Sequence, residues 1–261
     1  MLVLTEERHQ LILAAVKDEG VARTFDLCRT LGVSEATVRR DLERLDQLGL
    51  IERVRGGAVA PRRHGRPEVD HTPFSLSSTA ETAQKRTIAQ LAAGRVIDGD
   101  VIILDIGTTV AAMCPLLRER RITVITASLA VIQELADCPS IDLIILGGHH
   151  RPTYSSMVGP LTEHALSQLR AGTAFIGCSG IESSGAVLDT TPSEVPIKRL
   201  MLENAQQAFL LADAKKMPGE GVMEVAPLSR FRALVTDQTP HHLSNYFSSL
   251  ADNLTPEVIA P

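Results

Sequence analysis

The stretch SEATVRRDLERLDQLGLIERVRGGA, residues 34–58, decides the fold at the amino-terminal end of the chain. Ser34 is a residue type that caps the amino terminus of a helix. Apolar residues then recur at the spacing of one helix face, at Val38, Leu42 and Leu45. Gly49 lies just past this pattern, where helices commonly end. The following residues read as a strand that turns at Gly56-Gly57 and returns, so the stretch predicts a helix followed by a small hairpin.

Two further helices are predicted upstream of this stretch. The first begins near Thr5, carries an apolar stripe and ends at Gly20. A short second helix is expected at about residues 26–31 and stops at Gly32, so only a brief turn separates it from the third helix. Two helices joined by a short glycine turn and followed by a hairpin describe a winged helix-turn-helix, which we assign to residues 1–60.

The third helix carries arginines on the side opposite its apolar stripe. At 100° per residue from Val38, Arg40 falls at about 200° and Arg44 at about 240°. The planar guanidinium binds phosphate and the guanine edge at two points, and helix-turn-helix proteins read bases with this helix. A merely solvated face would carry the same charges, but a glycine tip between wing arginines favours DNA because backbone N–H groups can approach phosphate there. The predicted DNA-binding residues are Ser34, Ala36, Thr37, Arg39, Arg40, Arg44, Arg53, Arg55, Gly56 and Gly57.

Charge is distributed unevenly along the chain. The formal net charge is −5, but the first 66 residues hold 12 Lys+Arg against 10 Asp+Glu, whereas the remainder hold 14 against 21. A mildly basic end on an acidic chain favours a polyanionic partner for that end. Between the two parts, Pro61–Pro67 contains prolines, a glycine and arginines without an apolar anchor, which is typical of a linker. We assign the linker to residues 61–79.

After the linker, short apolar runs alternate with helical stretches. A helix is predicted at about residues 82–95, and the first strand follows at Val101–Asp105. Strands this short and apolar, separated by helices, indicate an α/β domain whose parallel sheet is buried on both faces, assigned to residues 80–261. Further strands are expected at Thr123–Thr126, Leu143–Leu146, Ala174–Gly177, Ala208–Ala212 and Ala233–Thr236.

Composition excludes several classes of protein. With 44% hydrophobic and 22% charged residues, the chain is ordinary for a globular protein, and no apolar run approaches the ~20 residues of a membrane helix. The acidic, interrupted start is unlike a signal peptide, so we expect a cytoplasmic protein. The four cysteines lie far apart, and the histidine pairs have no carboxylate cluster beside them in sequence, so neither a disulfide scaffold nor a metal site is expected.

The residues of the predicted winged helix resemble the DNA-binding signature of the DeoR family of bacterial transcriptional regulators. The matching positions are Ser34-x-x-Thr37-Val38-Arg39-Arg40-Asp41-Leu42, then Leu45, Gly49, Arg53 and Gly56-Gly57-Ala58. The chain also resembles the sensor domain of that family at Lys85-x-x-Ile88-Ala89, Asp105-x-Gly107-Thr108-Thr109, Thr126-x-Ser128-Leu129, Leu146-Gly147-Gly148, Gly159, Gly177-x-x-Gly180-Ile181, Leu211-Ala212-Asp213-x-x-Lys216 and Thr236-Asp237. The resemblance implies a sensor related in fold to sugar-phosphate isomerases. It also implies a repressor of a carbohydrate catabolic operon that a phosphorylated sugar intermediate releases from its operator.

A phosphate site is predicted where the first strand of the second domain ends. Gly107 opens a turn into a helix at Thr108-Thr109, and such a turn presents free N–H groups to an anion; no Gly-Lys-Ser/Thr follows, so it is not a Walker A loop. An ordinary capped turn would look the same, but similar turns after other strands line one sheet edge, where ligands of α/β sheets bind. The resemblance adds Lys85 and Lys216 as cations. The predicted effector-binding residues are Lys85, Asp105, Gly107, Thr108, Thr109, Thr126, Ser128, Gly147, Gly148, Gly177, Gly180, Asp213 and Lys216.

Three departures from the family pattern bear on the identity of the effector. Ala127 stands where an asparagine is usual, and Lys215 stands where a small hydroxyl residue is common. The segment 190–196 contains two prolines close to a helix start. These differences concern the recognition of the sugar and leave the predicted domain unchanged.

Three functions are compatible with these features. The first is a DNA-binding repressor controlled by a ligand. Another is a transcription factor that senses a protein partner. The remaining one is an isomerase-like enzyme with an added DNA-binding module. Its possible acids are Asp105, Glu194 and Asp213, although the loop 175–180, where related isomerases carry acidic residues, contains no acidic residue. We favour the first, with no catalytic residue, cofactor or metal. Its expected partners are double-stranded operator DNA, a phosphorylated sugar and further copies of the chain in a homodimer or homotetramer, because one unit reads only a half-site.

Overall fold

The computed structural model describes residues 5–19, 21–48, 50–54, 56–59, 82–238 and 256–261. These residues belong to two compact units, an amino-terminal unit that ends at residue 59 and a carboxy-terminal unit that begins at residue 82. The predicted linker 61–79, including Pro61–Pro67, lies outside the described residues. The boundaries at 60 and 80 therefore stay predictions.

Within its described residues, the amino-terminal unit has three helices and a three-stranded antiparallel sheet in the order β1-β3-β2. Its elements are α1 (Thr5–Glu19), β1 (Val21–Arg23), α2 (Thr24–Leu31), α3 (Glu35–Gln47), β2 (Glu52–Val54) and β3 (Gly57–Val59). The predicted winged helix-turn-helix is thus confirmed. The strand β1, which the sequence did not predict, completes the sheet by pairing with β3.

The third helix forms as its sequence predicts. The Ser34 side chain accepts a hydrogen bond from the Thr37 N–H at 3.2 Å, which satisfies a donor that the first helical turn leaves without a partner. Gly32 has a φ of 64°, so a residue without a Cβ allows the tight turn after α2. The apolar stripe is buried in one core formed by Ile12, Val16, Leu27, Leu31, Val38, Leu42, Leu45 and Ile51.

A buried carboxylate joins α1 to α3. Asp41 is 5% exposed, and its Oδ2 lies 2.8 Å from Nε of Arg8 while its Oδ1 lies 3.2 Å from Nε2 of His9. The guanidinium of Arg8 also donates from Nη2 to Asp41 Oδ1 at 3.1 Å. This hydrogen bonding to Asp41 raises the pKa of Arg8 despite the opposing effect of burial. The position of the predicted reading helix is therefore held by ion pairing as well as by the apolar core.

The described part of the carboxy-terminal unit is built on a seven-stranded, wholly parallel sheet in the order β15-β14-β12-β9-β4-β5-β6. The strands of this sheet are β4 (Val101–Leu104), β5 (Ile122–Thr126), β6 (Ile141–Ile145), β9 (Ala171–Gly177), β12 (Ala205–Leu211), β14 (Ala233–Val235) and β15 (Glu257–Ile259). The helices are α4 (Thr82–Ala93), α5 (Thr108–Ala111), α6 (Cys114–Leu117), α7 (Leu129–Leu135), α8 (Pro160–Ser167) and α9 (Val195–Asn204). The predicted α/β architecture is confirmed, and all six predicted strands form.

Both faces of the sheet are buried, as the unbroken apolar strands predict. Along β4, Ile102 and Leu104 belong to one core and Ile103 to the other, because successive side chains of a strand point to opposite faces. Phe175 of β9 and Phe209 of β12 stack with ring centroids 5.5 Å apart. The sheet therefore provides a rigid platform for residues that follow its strands.

Smaller strands that the sequence did not predict lie beside the main sheet. They are β7 (His149–Arg151) paired with β8 (Ser156–Val158), and the antiparallel set β10 (Gly180–Ile181), β11 (Ala186–Asp189) and β13 (Met223–Pro227). The main-sheet strand β15 was also missed. The predicted pattern captured long apolar runs but not two- to five-residue strands whose pairing depends on distant partners.

Candidate DNA-reading face and effector site

The outer face of α3 carries exposed arginines. Arg39, Arg40 and Arg44 are exposed, whereas Val38 and Leu42 on the opposite side are buried. Arg39 forms an ion pair with Glu35 at 2.6 Å on the same face. A shallow depression on the surface is lined by Glu35, Ala36, Arg39, Arg40 and Glu43. The face therefore presents arginines beside two glutamates, and the small Ala36 lies at its amino-terminal end.

The wing gives its two glycines different roles. Gly56 is exposed with a φ of 89°, and it is the residue that reverses the chain between β2 and β3. Gly57 is buried, and a Cβ there would lie 2.2 Å from the Ala22 carbonyl oxygen of β1. Close approach to phosphate therefore suits Gly56, while Gly57 has a packing reason to be glycine. Arg53 is exposed on β2, and Arg55 lies outside the described residues.

In the carboxy-terminal unit, the parallel sheet has a switch point between β4 and β9. From β4 the chain adds β5 and β6 on one side, then crosses to place β9, β12 and β14 on the other. At such a point the connections leave in opposite directions and open a crevice outside the carboxyl ends of the strands. Asp105 follows β4 there and Gly177 ends β9, and the Gly177 N–H donates to Asp105 Oδ2 at 2.9 Å.

A buried lysine of α9 occupies the centre of this switch point. Lys198 is 3% exposed, and its Nζ donates to Asp105 Oδ2 and to the Gly177 carbonyl oxygen at 2.8 Å. The Nζ also forms an ion pair with Asp189 Oδ2 at 3.2 Å. Burial alone would lower the pKa of Lys198, but the two carboxylates outweigh burial and raise it. The charge of the ammonium is therefore balanced within the protein, by two hydrogen bonds and a second ion pair.

A second buried polar group lies at the start of the same helix. Glu194 is 2% exposed, and its Oε1 accepts hydrogen bonds from Ser156 Oγ at 2.7 Å and from Arg151 Nη1 at 3.0 Å. The Arg151 guanidinium also lies 4.1 Å from the centre of the Tyr154 ring. Glu194 thus attaches the β7–β8 hairpin to the region just before α9.

Several of the predicted effector residues meet at the switch point. Asp105, Gly107 and Gly177 lie together, since a Cβ on Gly107 would be 3.8 Å from the Gly177 Cα. Lys216 donates from Nζ to the Cys178 carbonyl oxygen, one residue beyond β9. Thr108 is half-buried beside them, whereas Thr109 is 4% exposed. The helix α5 that starts at Thr108 has only four residues, so its dipole is smaller than the sequence prediction assumed.

Other predicted effector residues have internal roles. Thr126 is fully buried, and its Oγ1 donates to the Leu104 carbonyl oxygen at 2.8 Å and accepts the Ser128 N–H at 3.0 Å. The Ser128 side chain caps α7 by accepting the Val131 N–H. A Cβ on Gly148 would lie 2.0 Å from Thr162 Oγ1, and one on Gly180 would lie 2.4 Å from the Glu220 N. The close packing of the chain accounts for glycine at both places. Gly147 is exposed, and its carbonyl oxygen accepts the Thr162 hydroxyl at 2.8 Å.

The remaining two predicted residues are buried. Lys85, in the first turns of α4, is 7% exposed. Asp213 is 2% exposed and its Oδ1 accepts the Lys215 N–H at 3.1 Å, so it caps the short 3-10 helix Ala214–Lys216 that carries Lys216. Asp213 is therefore a helix cap in this structure, and its contact with an effector stays a prediction.

Sequence reasoning missed the central residues of the buried network. Lys198, Asp189, Arg151 and Ser156 were not among the predicted site residues. Lys198 lies 93 residues from Asp105, and Arg151 lies 43 residues from Glu194. One signal was present: Glu194 and Lys198 lie on either side of Val195 and Ile197, which helix packing would bury. Among the described residues, no group of three or more His, Cys, Asp or Glu could hold a metal ion.

Comparison with known proteins gives matches along most of the chain. Residues 8–64 match the model of the DeoR-like helix-turn-helix domain, and residues 80–238 match that of the DeoR C terminal sensor domain. The glycerol-3-phosphate regulon repressor of Haemophilus influenzae is 33% identical over 92% of both chains. The L-fucose operon activator of the same organism is 31% identical over 92% of this chain and 95% of its own. The HTH-type transcriptional repressor GlcR of Bacillus subtilis is 33% identical over 90% of each.

Solved structures resemble this chain more distantly. Ribose 5-phosphate isomerase A from Methanocaldococcus jannaschii has 20% identity and a TM-score of 0.39, covering 52% of this chain and 55% of that one. The eIF2B beta subunit from Chaetomium thermophilum has 16% identity and a TM-score of 0.48, covering 94% and 83%. In the described part of the chain, no helix has the length and apolar character needed to cross a membrane.

Proposed function

Because the chain belongs to the DeoR family of DNA-binding transcriptional regulators, we propose that it represses a carbohydrate catabolic operon and leaves its operator when a phosphorylated sugar binds. The relatives named above are regulators and not enzymes, and so is this chain. One of them is an activator, so the direction of control belongs to the proposal. The protein acts in the cytoplasm, where its operator DNA is found.

The DNA-binding part of the proposal is supported by the geometry of α3. Its arginines are exposed on one face while the opposite face and the Asp41 ion pairs fix the helix in the unit. A rigid helix with exposed arginines can read base edges in the major groove, and Arg53 and Arg55 of the wing can bind phosphate. One such unit covers only a half-site, so the regulator operates as a homodimer or homotetramer on a repeated operator.

The observation that carries the effector proposal is the switch point itself. Gly107 and Thr108 lie beside Gly177 at the carboxyl edge of the sheet, where α/β proteins bind ligands. Since α5 is short, backbone N–H groups alone are a weak phosphate site, and cations must add to them. Lys216 is half-exposed and uses one N–H of its ammonium on the Cys178 carbonyl oxygen, so it can reach a phosphate. Lys85 is the second predicted cation.

The buried network disfavours the alternative of an isomerase. A general base needs a carboxylate that can take a proton from the substrate. Asp105 is instead ion-paired with Lys198, Glu194 is ion-paired with Arg151, and Asp213 serves as a helix cap, so each possible acid already has a structural role. Binding without turnover is the behaviour that this arrangement supports.

A gel shift on the DNA upstream of the gene tests the proposal. The full chain should retard this DNA, and one member of a panel of sugar phosphates should release it while the matched unphosphorylated sugar does not. Release by the unphosphorylated sugar, or turnover of the sugar phosphate, would contradict the proposal. Stronger retardation with the sugar phosphate would identify an activator in place of a repressor.

A further inference from the structure

Two nearly buried carboxylates at the switch point use only one of their two oxygens. Asp105 accepts both the Gly177 N–H and the Lys198 ammonium on Oδ2, and Glu194 accepts both the Ser156 hydroxyl and the Arg151 guanidinium on Oε1. Among the described residues, Asp105 Oδ1 and Glu194 Oε2 have no hydrogen-bond donor. Each carboxylate therefore has a vacant acceptor although its residue is at most 2% exposed.

These two oxygens border accessible space. In the part of the chain that the structure describes, no side-chain oxygen sealed from solvent lacks a hydrogen-bond partner. Asp105 Oδ1 and Glu194 Oε2 are consequently in contact with solvent. Buried acceptors are almost always satisfied in folded proteins, so an acceptor that opens on such space takes its donor from what enters.

Lys198 links the two carboxylates, because its backbone N–H donates to the Glu194 carbonyl oxygen at 3.0 Å, one helical turn away, and its Nζ donates to Asp105 Oδ2. Burial is the main reason that the pKa of Glu194 is raised, the Ser156 hydrogen bond opposes the rise, and the charge of Asp105 adds to it. Lys198 also acts on Glu194 electrostatically, and it is bonded directly to Asp105. The two acceptor oxygens thus belong to one neighbourhood, and Gly107 and Thr108 lie two and three residues after Asp105.

We propose that Asp105 Oδ1 and Glu194 Oε2 bind hydroxyl groups of a polyol phosphate, with Glu194 as the residue that selects the sugar. This proposal rests on the function proposed above and adds the hydroxyl-binding end of the effector site. Hydroxyls are neutral donors that match a pair of acceptor oxygens, whereas a phosphate would be repelled by them. The phosphate therefore lies on the other side of Asp105, towards Thr108 and Lys216.

Titration calorimetry of the full chain tests this assignment with defined probes. The ligands are inorganic phosphate, propyl phosphate, glycerol 3-phosphate, ribose 5-phosphate and fructose 6-phosphate. In the parent, the tightest polyol phosphate should bind at least about tenfold more tightly than propyl phosphate, which has the phosphate ester but no hydroxyl. This comparison requires no variant, so it stands even if a substitution at Glu194 prevents folding.

The variant arm uses Glu194→Gln, with Asp142→Asn as the control. Asp142 is exposed near the amino end of β6, so its substitution removes the same charge away from the switch point. Glu194→Gln should weaken the polyol phosphate by about ten- to hundredfold, because a charge-assisted hydrogen bond is lost. Affinity for inorganic phosphate should stay within about twofold in both variants.

The outcomes separate this inference from the proposed function. If no polyol phosphate binds the parent, both are overturned. If a polyol phosphate binds but Glu194→Gln binds it equally well, or propyl phosphate matches it, the hydroxyl assignment alone is overturned. Stabilisation of the parent by Mg²⁺ that Glu194→Gln abolishes would also overturn it, because the vacant oxygens would then hold a cation.

Discussion

The outer face of α3 and the switch point of the sheet both collect charged residues, but the protein holds the charges in opposite ways. On α3 the arginines are exposed, and the ion pair of Arg39 with Glu35 joins two side chains that are each more than half exposed. At the switch point, Lys198 is 3% exposed and is paired with Asp105 and Asp189 inside the protein. The first region keeps its charges available for a polyanion, and the second uses most of its charges to hold strands and loops in place.

The difference has an energetic consequence. Exposed ion pairs contribute little to stability, so substitution of the α3 arginines should alter DNA binding without unfolding the amino-terminal unit. A buried charge that loses its partner is costly, so the switch point cannot be altered without cost. The same rigidity places the vacant acceptors of Asp105 and Glu194 in a fixed geometry, which suits selective binding of a small ligand.

The largest expected effect is the loss of the buried cation. Lys198→Met should lower the free energy of unfolding of the carboxy-terminal unit by about 3–5 kcal/mol, because Asp105 and Asp189 would stay buried without their partner. Lys215→Met is the matched control, since Lys215 is exposed and should cost less than about 1 kcal/mol. Urea denaturation measures both, and a cost of Lys198→Met as small as that of the control would show that the switch point is not held by this ion pair.

The next effect concerns the ion pair that fixes the reading helix. Asp41→Asn should destabilise the amino-terminal unit by about 1.5–3 kcal/mol, because Arg8 loses a charge-assisted hydrogen-bond acceptor in a mostly buried position. Asp26→Asn, at an exposed position of α2, provides the comparison and should have a much smaller effect. Thermal unfolding followed by circular dichroism measures the stability of both variants. If Asp41→Asn and Asp26→Asn lose the same stability, the Asp41 ion pairs do not hold α3 in place.

A change on the exposed face should spare stability and alter recognition. Arg40→Ala should lower the affinity for operator DNA by about 1–3 kcal/mol if Arg40 contacts a base, with the unfolding transition unchanged because no core contact is lost. Arg86→Ala removes the same charge from an exposed position of α4 and should leave DNA affinity as it is. Fluorescence anisotropy with operator DNA measures both. Parent-like binding by Arg40→Ala would remove this residue from the interface.

The smallest effect is expected at the wing. Arg53→Ala should weaken specific and non-specific DNA binding alike and reduce the slope of log affinity against log salt concentration by about one, because a phosphate contact is lost. Its backbone N–H donates to Asp46 Oδ1 at 3.0 Å, and this bond survives the substitution. Affinity measured at several salt concentrations provides the slope. An unchanged slope would show that Arg53 does not neutralise a phosphate.

The same contrast explains what the sequence could predict. The α3 face was predictable because its apolar residues repeat at helical spacing, so the opposite side had to be exposed. The parallel sheet was predictable because short apolar runs alternate with helices. Lys198 was not, since a lysine in an amphipathic helix usually points to solvent and its partners lie on distant strands. Thr126 and Ser128 were assigned to the ligand because the pattern shows strand ends, but it does not show that their hydroxyl groups are already bonded within the protein.

The proposed phosphate site at Thr108-Thr109 can be tested by a substitution at the less buried of the two threonines. Thr109 is 4% exposed, so a glutamate at that position would disturb the core, whereas Thr108 is half-buried. Thr108→Glu would place a carboxylate where the phosphate is proposed to bind. It should abolish the response to the sugar phosphate while DNA binding stays intact.

The most direct test of a regulator released by a sugar phosphate is the operator affinity of the full chain with and without that ligand, measured by anisotropy in the parent and in Thr108→Glu. Saturating ligand should weaken DNA binding by the parent at least about tenfold, which corresponds to a coupling of roughly 1.4 kcal/mol. Thr108→Glu should bind DNA equally well in both conditions. A parent whose operator affinity is the same with every sugar phosphate tested, or a variant released as readily as the parent, would contradict this mechanism.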